Sequence, residues 1–244
     1  MTEIYNLVTE LTNKENIMAI SENKPGEQSL ALKILLACGA TGPLLFIFVF
    51  LIEGATRPGY SAWHNMVSSL SDGPGGWMQR ANFIVCGALV FAFAFGLKRA
   101  LRSGKGSTWG PILLDAFGLC LVGAGIFVTD PLLGYPPGVP TPTTPSVHGA
   151  LHVLLSLIVF ASLIAACFVL ARRFAGDPAW RGWTAYSIIT GTVVLVFFIA
   201  TDVVSTPSPS APAGLLQRIS IITGWVWVAL FALRLMRQAP PTAR

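Results

Sequence analysis

The chain has 244 residues, of which 53% are hydrophobic, 16 basic and 11 acidic, with a mean hydropathy of +0.66. Soluble domains carry about a quarter charged residues; the 11% found here excludes an ordinary water-solvated globule. The net charge of +5 accompanies long apolar runs, not a basic stripe, so nucleic acid gains no support as a partner.

In chain order, residues 1–28 are polar and include Glu3, Glu10, Glu15, Glu22 and Glu27. They lack the basic start and short apolar core of a signal peptide, and read as a loose cytoplasmic tail. Within it, Ile4, Leu7, Val8 and Leu11 have the spacing of a short surface helix, and Met18 is a candidate alternative start.

Six uncharged runs follow: Ile34–Ile52, Ala81–Leu97, Ala116–Thr129, Val153–Ala171, Trp183–Thr201 and Ile219–Leu233. A membrane-spanning helix needs about 20 mainly apolar residues. The third run reaches that length if it begins near Trp109 and tolerates Asp115, and the sixth if Arg218 and Arg234 extend to the two interfaces. Continuous runs point to helices, because barrel strands alternate apolar and polar residues. The expectation is an all-α polytopic membrane protein: a six-transmembrane-helix bundle over 29–237, with a short tail over 238–244.

Thirteen of the sixteen basic residues fall at one set of span ends, leaving only Arg57, Arg80 and Arg218 at the other. Cytoplasmic flanks retain Lys and Arg, so both termini are expected in the cytoplasm of a cell-membrane protein, facing anionic lipid. Segments 53–79, 130–148 and 203–216 then face outward. Their turn formers, DGPGG at 72–76, GYPPGVPTPTTP at 134–145 and STPSPSAPAG at 205–214, cannot build a separate packed domain. The inner linkers KRALRSGKGSTW and RRFAGDPAW are short, so any chemistry must come from the spans or their outer ends.

Cys38, Cys86, Cys120 and Cys167 all lie in apolar runs, where packing suffices and no disulfide is expected. Small residues such as Gly39, Gly118 and Gly191 permit close helix approach, and Pro43 is expected to kink the first span. Trp63 and Trp77 outside, with Trp109, Trp180 and Trp183 inside, fit interfacial aromatic belts; Trp225 and Trp227 lie deeper, on different sides of the last span. The odd spans end outward in Ile52-Glu53, Thr129-Asp130 and Thr201-Asp202, a weak sign of three repeated hairpins. Asp115, toward the inner side, is expected to face the bundle or the nearby interface.

The most informative feature is an asymmetry in polar residues. All three histidines, His64, His148 and His152, lie on the side that basic residues avoid, with Glu53, Asp72, Asp130 and Asp202. On a helix, His148 and His152 share one face, about 6 Å apart along the axis. That spacing suits two ligands of zinc or another divalent metal, with His64, Asp130 or Asp202 as a third and water in an open position. Asp72, Asp130 and Asp202 are candidate catalytic acids or bases, and Arg218 a candidate for steadying developing negative charge. The same groups can equally cap helices, bond to loop backbone or pair with Arg80 and Arg218.

The segment HNMVSSLSDGPGGWMQRANFIVCGALVF, then VTDPLLGYPPG and VHGALHVLLSLIVFASL, resembles the six-span prokaryotic membrane family catalogued as domain of unknown function nine-nine-eight. The likeness covers about residues 30–237. It implies a bacterial or archaeal integral membrane protein with outward polar motifs, and brings no activity with it. His148 and His152 also resemble the HxxxH pair of the alkaline ceramidase and adiponectin-receptor group of intramembrane hydrolases. That group has seven spans and carries the pair late in the chain, so this likeness is one of chemistry.

Three functions are compatible with these residues. The leading expectation is an outward polar pocket that binds or processes a lipid or lipophilic small molecule. The alternatives are a metal-dependent intramembrane hydrolase and a transporter or proton-linked binding protein. The oligomeric state is not legible in the sequence.

Overall fold

The structure, a computed structural model, describes residues 25–205 and 211–238. The expected surface helix near Ile4, the alternative start at Met18 and the last six residues lie outside the described residues. Six long helices follow in order: α1 (Pro25–Thr56), α2 (Trp77–Ala100), α3 (Trp109–Ile126), α4 (Val147–Phe174), α5 (Trp183–Val204) and α6 (Ala213–Gln238). Each is long and apolar enough to cross a membrane. Among the described residues there is no strand, and two short 3-10 turns, Val67–Ser71 and Pro178–Trp180, complete the regular structure.

Each helix packs on its neighbour in sequence, and α6 closes the ring against α1. Large apolar side chains occupy both the inside and the outside of this ring. Phe46, Phe50, Phe93, Phe117 and Phe231 are buried, whereas Phe48, Phe95, Leu119, Val153 and Ile189 are exposed. An outer surface of that kind is stable in hydrocarbon and not in water. Hydropathy therefore cannot tell core from surface here; the difference lies in size and fit.

Close fit is clearest between α2 and α3. A Cβ on Gly87 would lie 2.7 Å from the carbonyl oxygen of Gly118, and one on Gly118 would lie 2.8 Å from that of Gly87. The two backbones touch where each lacks a side chain, the usual device for dense packing in lipid. α1 continues through Pro43, and the four cysteines lie free in α1 to α4.

Two expectations shift in detail. The third span stops at Ile126, not Thr129, and Phe127–Asp130 runs on as an irregular arm. Pro131 disfavours helix at the residue before it, so the arm leads Asp130 away from the α3 axis. Trp180 is 5% exposed and does not belong to an interfacial belt. It stacks on Phe174 at 4.5 Å, with the Arg234 guanidinium 5.1 Å from its ring. Trp63, Trp77 and Trp109 are exposed as a belt requires, while Trp225 and Trp227 are both buried. Trp227 donates to Ser187 Oγ at 3.0 Å, which joins α6 to α5.

Candidate functional site

The 57–76 and 127–146 connections meet at one end of the ring, together with the start of α6. Asn65 Nδ2 donates to the Leu133 carbonyl at 2.9 Å, and Tyr60 meets the buried Tyr135 edge to face at 5.3 Å. The first turn of α6 has backbone N–H groups without helical partners. Gly214 and Leu215 donate theirs to the carbonyls of His64 and Trp63, at 3.1 and 3.0 Å.

Two buried arginines hold this end together. Arg57 pairs with Glu53 one turn earlier at 2.5 Å, then donates to the carbonyls of Leu70, Asp72, Pro74 and Gly75. It is the internal clamp of the DGPGG turn. Arg218 donates from one nitrogen to the carbonyls of Ala62, Asn65 and Gly214, at 2.7, 3.0 and 2.9 Å, and from the other to the Tyr60 hydroxyl. Tyr60 in turn donates to the Met66 carbonyl at 2.9 Å. Burial pushes its hydroxyl up to about 12, against the opposing effect of Arg218. Arg218, a sequence candidate for charge stabilisation, thus has one nitrogen committed to loop backbone.

A second group gathers around the C-terminal turn of α3. The Arg80 backbone lies against Gly125, and His152 Nδ1 lies 2.9 Å from the Ala124 carbonyl oxygen and 2.7 Å from that of Phe127. The Asp130 carboxylate rests on the start of α4. Oδ2 accepts from the Ser146 N–H at 2.9 Å, and the carboxylate fills the space where a Cβ of residue 149 would lie, 2.1 Å from that oxygen. Ser146 caps the same helix by accepting from Gly149 N–H. An acid at a helix N-terminus meets the positive end of its dipole. Asp72, buried in the facing loop, has its carboxyl pushed up to about 7 by burial, then by the nearby Asp130 charge, with Arg80 opposing.

The sequence candidates therefore divide. Asp72, Asp130 and His152 come to one corner, between α2, α3 and α4. His64 lies apart from them against α6, with Nδ1 2.9 Å from the Ala211 carbonyl oxygen. His148 is exposed, its ring 5.5 Å from that of Phe127, and Asp202 is exposed in the last turn of α5. Among the described residues, no group of three or more His, Cys, Asp and Glu is arranged to hold a metal.

Inside the ring, below the Val67–Ser71 turn, is a small cavity with about 30 Å³ of free interior. Its wall is mainly apolar, with Phe46, Phe83, Phe160 and Trp225 prominent, and its polar contributors include Ser68, Ser156 and Gln217. No charged residue lines it. Gln217 Oε1 accepts from the Val67 N–H at 2.6 Å, which fixes the roof to α6. Trp225 sits centrally, its ring 5.6 Å from Phe46, 4.8 Å from Phe117 and 5.9 Å from Phe160.

Sequence reading missed Tyr60 as part of this region, and the role of Arg57 as its clamp. The four-residue step from Glu53 to Arg57, just ahead of a glycine-rich turn, was the available signal for the clamp. Nothing in the sequence marks the aromatic wall, because phenylalanine and tryptophan occur on both faces of the bundle.

Six apolar helices in a closed ring, with a buried polar network at one end, define a multi-pass integral membrane protein. The model of the family described as "Protein of unknown function (DUF998)" matches residues 40–234, and the chain belongs to that family. No curated protein and no solved structure matches it.

Proposed function

We propose that this protein binds a lipophilic small molecule, or the tail of a lipid, in the cavity beneath the Val67–Ser71 turn. The observation that carries this reading is the wall itself, enclosed by five helices and the turn, mainly apolar and free of charge. The free interior is about 30 Å³, well below the roughly 300–1,000 Å³ of small-molecule pockets, so entry of a chain segment would require the wall side chains to move apart. We place this end on the outer face of the cell membrane and both termini in the cytoplasm, because the opposite ends of the helices carry most of the Lys and Arg.

The test is photolabelling of the full chain in lipid nanodiscs with a diazirine-bearing alkyl probe. Labels are expected on peptides containing Phe160 and Trp225, and loss of those labels in Ala124→Phe, which fills the cavity. Labelling confined to the outer faces of the helices would remove the reading.

A second reading, proton-linked binding of the same molecule, is favoured by the buried Asp72, whose carboxyl lies near Asp130 and titrates close to neutrality. Under it, probe occupancy changes between about pH 6 and about pH 8 in the wild type and not in Asp72→Asn.

A further inference from the structure

The linker between α2 and α3 folds back over the end of α4. Arg173 Nη1 donates to the carbonyls of Ser103 and Lys105, at 2.7 and 3.1 Å. Gly104 and Gly106, both at positive φ, carry the chain through this turn, and a Cβ on Gly104 would lie 3.4 Å from the same Arg173 nitrogen. A Cβ on Gly110, in the first turn of α3, would lie 2.9 Å from Leu170 Cδ2, so α3 starts directly on α4. This packing brings Arg102 and Lys105 of the linker beside Arg172 and Arg173 of α4.

Arg102, Lys105 and Arg172 are exposed, and among the described residues none of the four takes part in an ion pair. The rest of this end of the bundle is better balanced. Lys98 lies within electrostatic reach of Asp115, Arg99 rests over the Phe95 ring at 4.4 Å, and the second linker carries Asp177 as well as Arg181. Like charges held together repel, and an anion shared among them relieves the repulsion. Beside this patch the surface turns apolar: Trp109 is 63% exposed and Ile112, one turn into α3, 46%. A tryptophan at a span end sits at the level of lipid headgroups.

We propose that Arg102, Lys105 and Arg172 hold the phosphate of an anionic phospholipid whose acyl chains run past Trp109 and Ile112, with Arg173 positioning the linker. The two halves of the surface select the ligand together. A free phosphate would use the charges and leave the apolar face unserved, and a zwitterionic lipid would bring an ammonium in among the cations. An anionic phospholipid suits both. General attraction of basic flanks to anionic lipid depends on charge and not on place; this site depends on place. It is independent of the cavity and of which leaflet this end faces.

The full chain is reconstituted in vesicles of equimolar phosphatidylglycerol and phosphatidylcholine, and the lipids it retains are counted by native mass spectrometry. Wild type is expected to retain phosphatidylglycerol in preference. A basic residue near an anionic surface is worth roughly fivefold in binding, so Lys105→Gln/Arg172→Gln should lower the preference by about tenfold or more. Arg181→Gln/Arg237→Gln removes the same charge from the same end, also at exposed positions, and should keep the preference within about twofold. Equal losses in the two double variants overturn the site, because charge alone would then account for the lipid. Absence of a preference in wild type, a comparison that needs no variant to fold, also overturns it. So does a preference that excess inorganic phosphate abolishes, since the patch would then take a small anion and not a lipid.

Discussion

The two ends of the bundle use arginine in opposite ways. At one end the chain makes two 20-residue connections, 57–76 and 127–146, and Arg57 and Arg218 donate to carbonyl groups of the first. At the other, the eight-residue linkers 101–108 and 175–182 leave Arg99, Arg102, Arg172, Arg181 and Arg237 exposed. Among the described residues, Arg173 and Arg234 hold backbone there, Arg173 at the carbonyls of Ser103 and Lys105 and Arg234 at that of Ala179. Irregular backbone near a bilayer needs donors for its carbonyls, and a guanidinium offers five from one side chain. Few arginines suffice at the loop end because each serves several carbonyls. Several at the other end stay exposed.

The largest expected effect is the one that orients this contrast. Thr141→Cys in the long loop should react fully with a membrane-impermeant maleimide on intact cells, and Ser103→Cys should react only after permeabilisation. The reverse pattern would turn the molecule over. Next in size is the cost of removing each kind of arginine, read as thermal unfolding in detergent. Arg218→Ala strips the carbonyls of Ala62, Asn65 and Gly214 of a shared donor and should destabilise by about 3 kcal/mol or more, whereas exposed Arg181→Ala should stay within about 0.5 kcal/mol. Comparable losses would mean the loop end is no more tightly built than the linker end. Gly149→Val should cost about 2 kcal/mol, because its side chain would meet the Asp130 carboxylate and displace it from the start of α4.

The helices were legible because lipid imposes length and apolarity on every span, and all six runs contain a helix near the expected bounds. The ends were less so. Val147 to His152 belongs to α4, although the uncharged run begins only at Val153, since Ser146 and Asp130 cap a helix that hydropathy alone would start later. The grouping of Asp72, Asp130 and His152 was partly legible, from their shared side of the membrane. That His64 and His148 would part from His152 was not, because helical spacing says which residues share a face and not how deeply each is buried. Arg218 stood out as an arginine bordering an apolar run, but its carbonyl partners come from residues about 150 positions earlier, beyond any local pattern.

The effect that is smallest per step of change, here one pH unit, distinguishes the ends by pH. Asp72 has an ordinary value of 3.8 and is raised to about 7 in the fold, first by burial and then by Asp130, so the folded chain holds a proton that the unfolded chain has released across the interval between them. Its contribution to stability is therefore fullest below about pH 4, declines as pH rises by at most about 1.4 kcal/mol per unit, and levels off above about pH 7. Subtracting the Asp72→Asn profile from that of the wild type isolates this term from every other titrating group. The difference should fall with rising pH, and in an Asp130→Asn background its upper limit should move to lower pH, because one of the two raising influences has been removed. A difference that rises with pH would mean that the fold favours the ionised carboxylate, through pairing with Arg80 strong enough to overcome burial. The loop end would then be held by a carboxylate–guanidinium pair as well as by arginine–carbonyl contacts, and the contrast between the two ends would rest on burial alone.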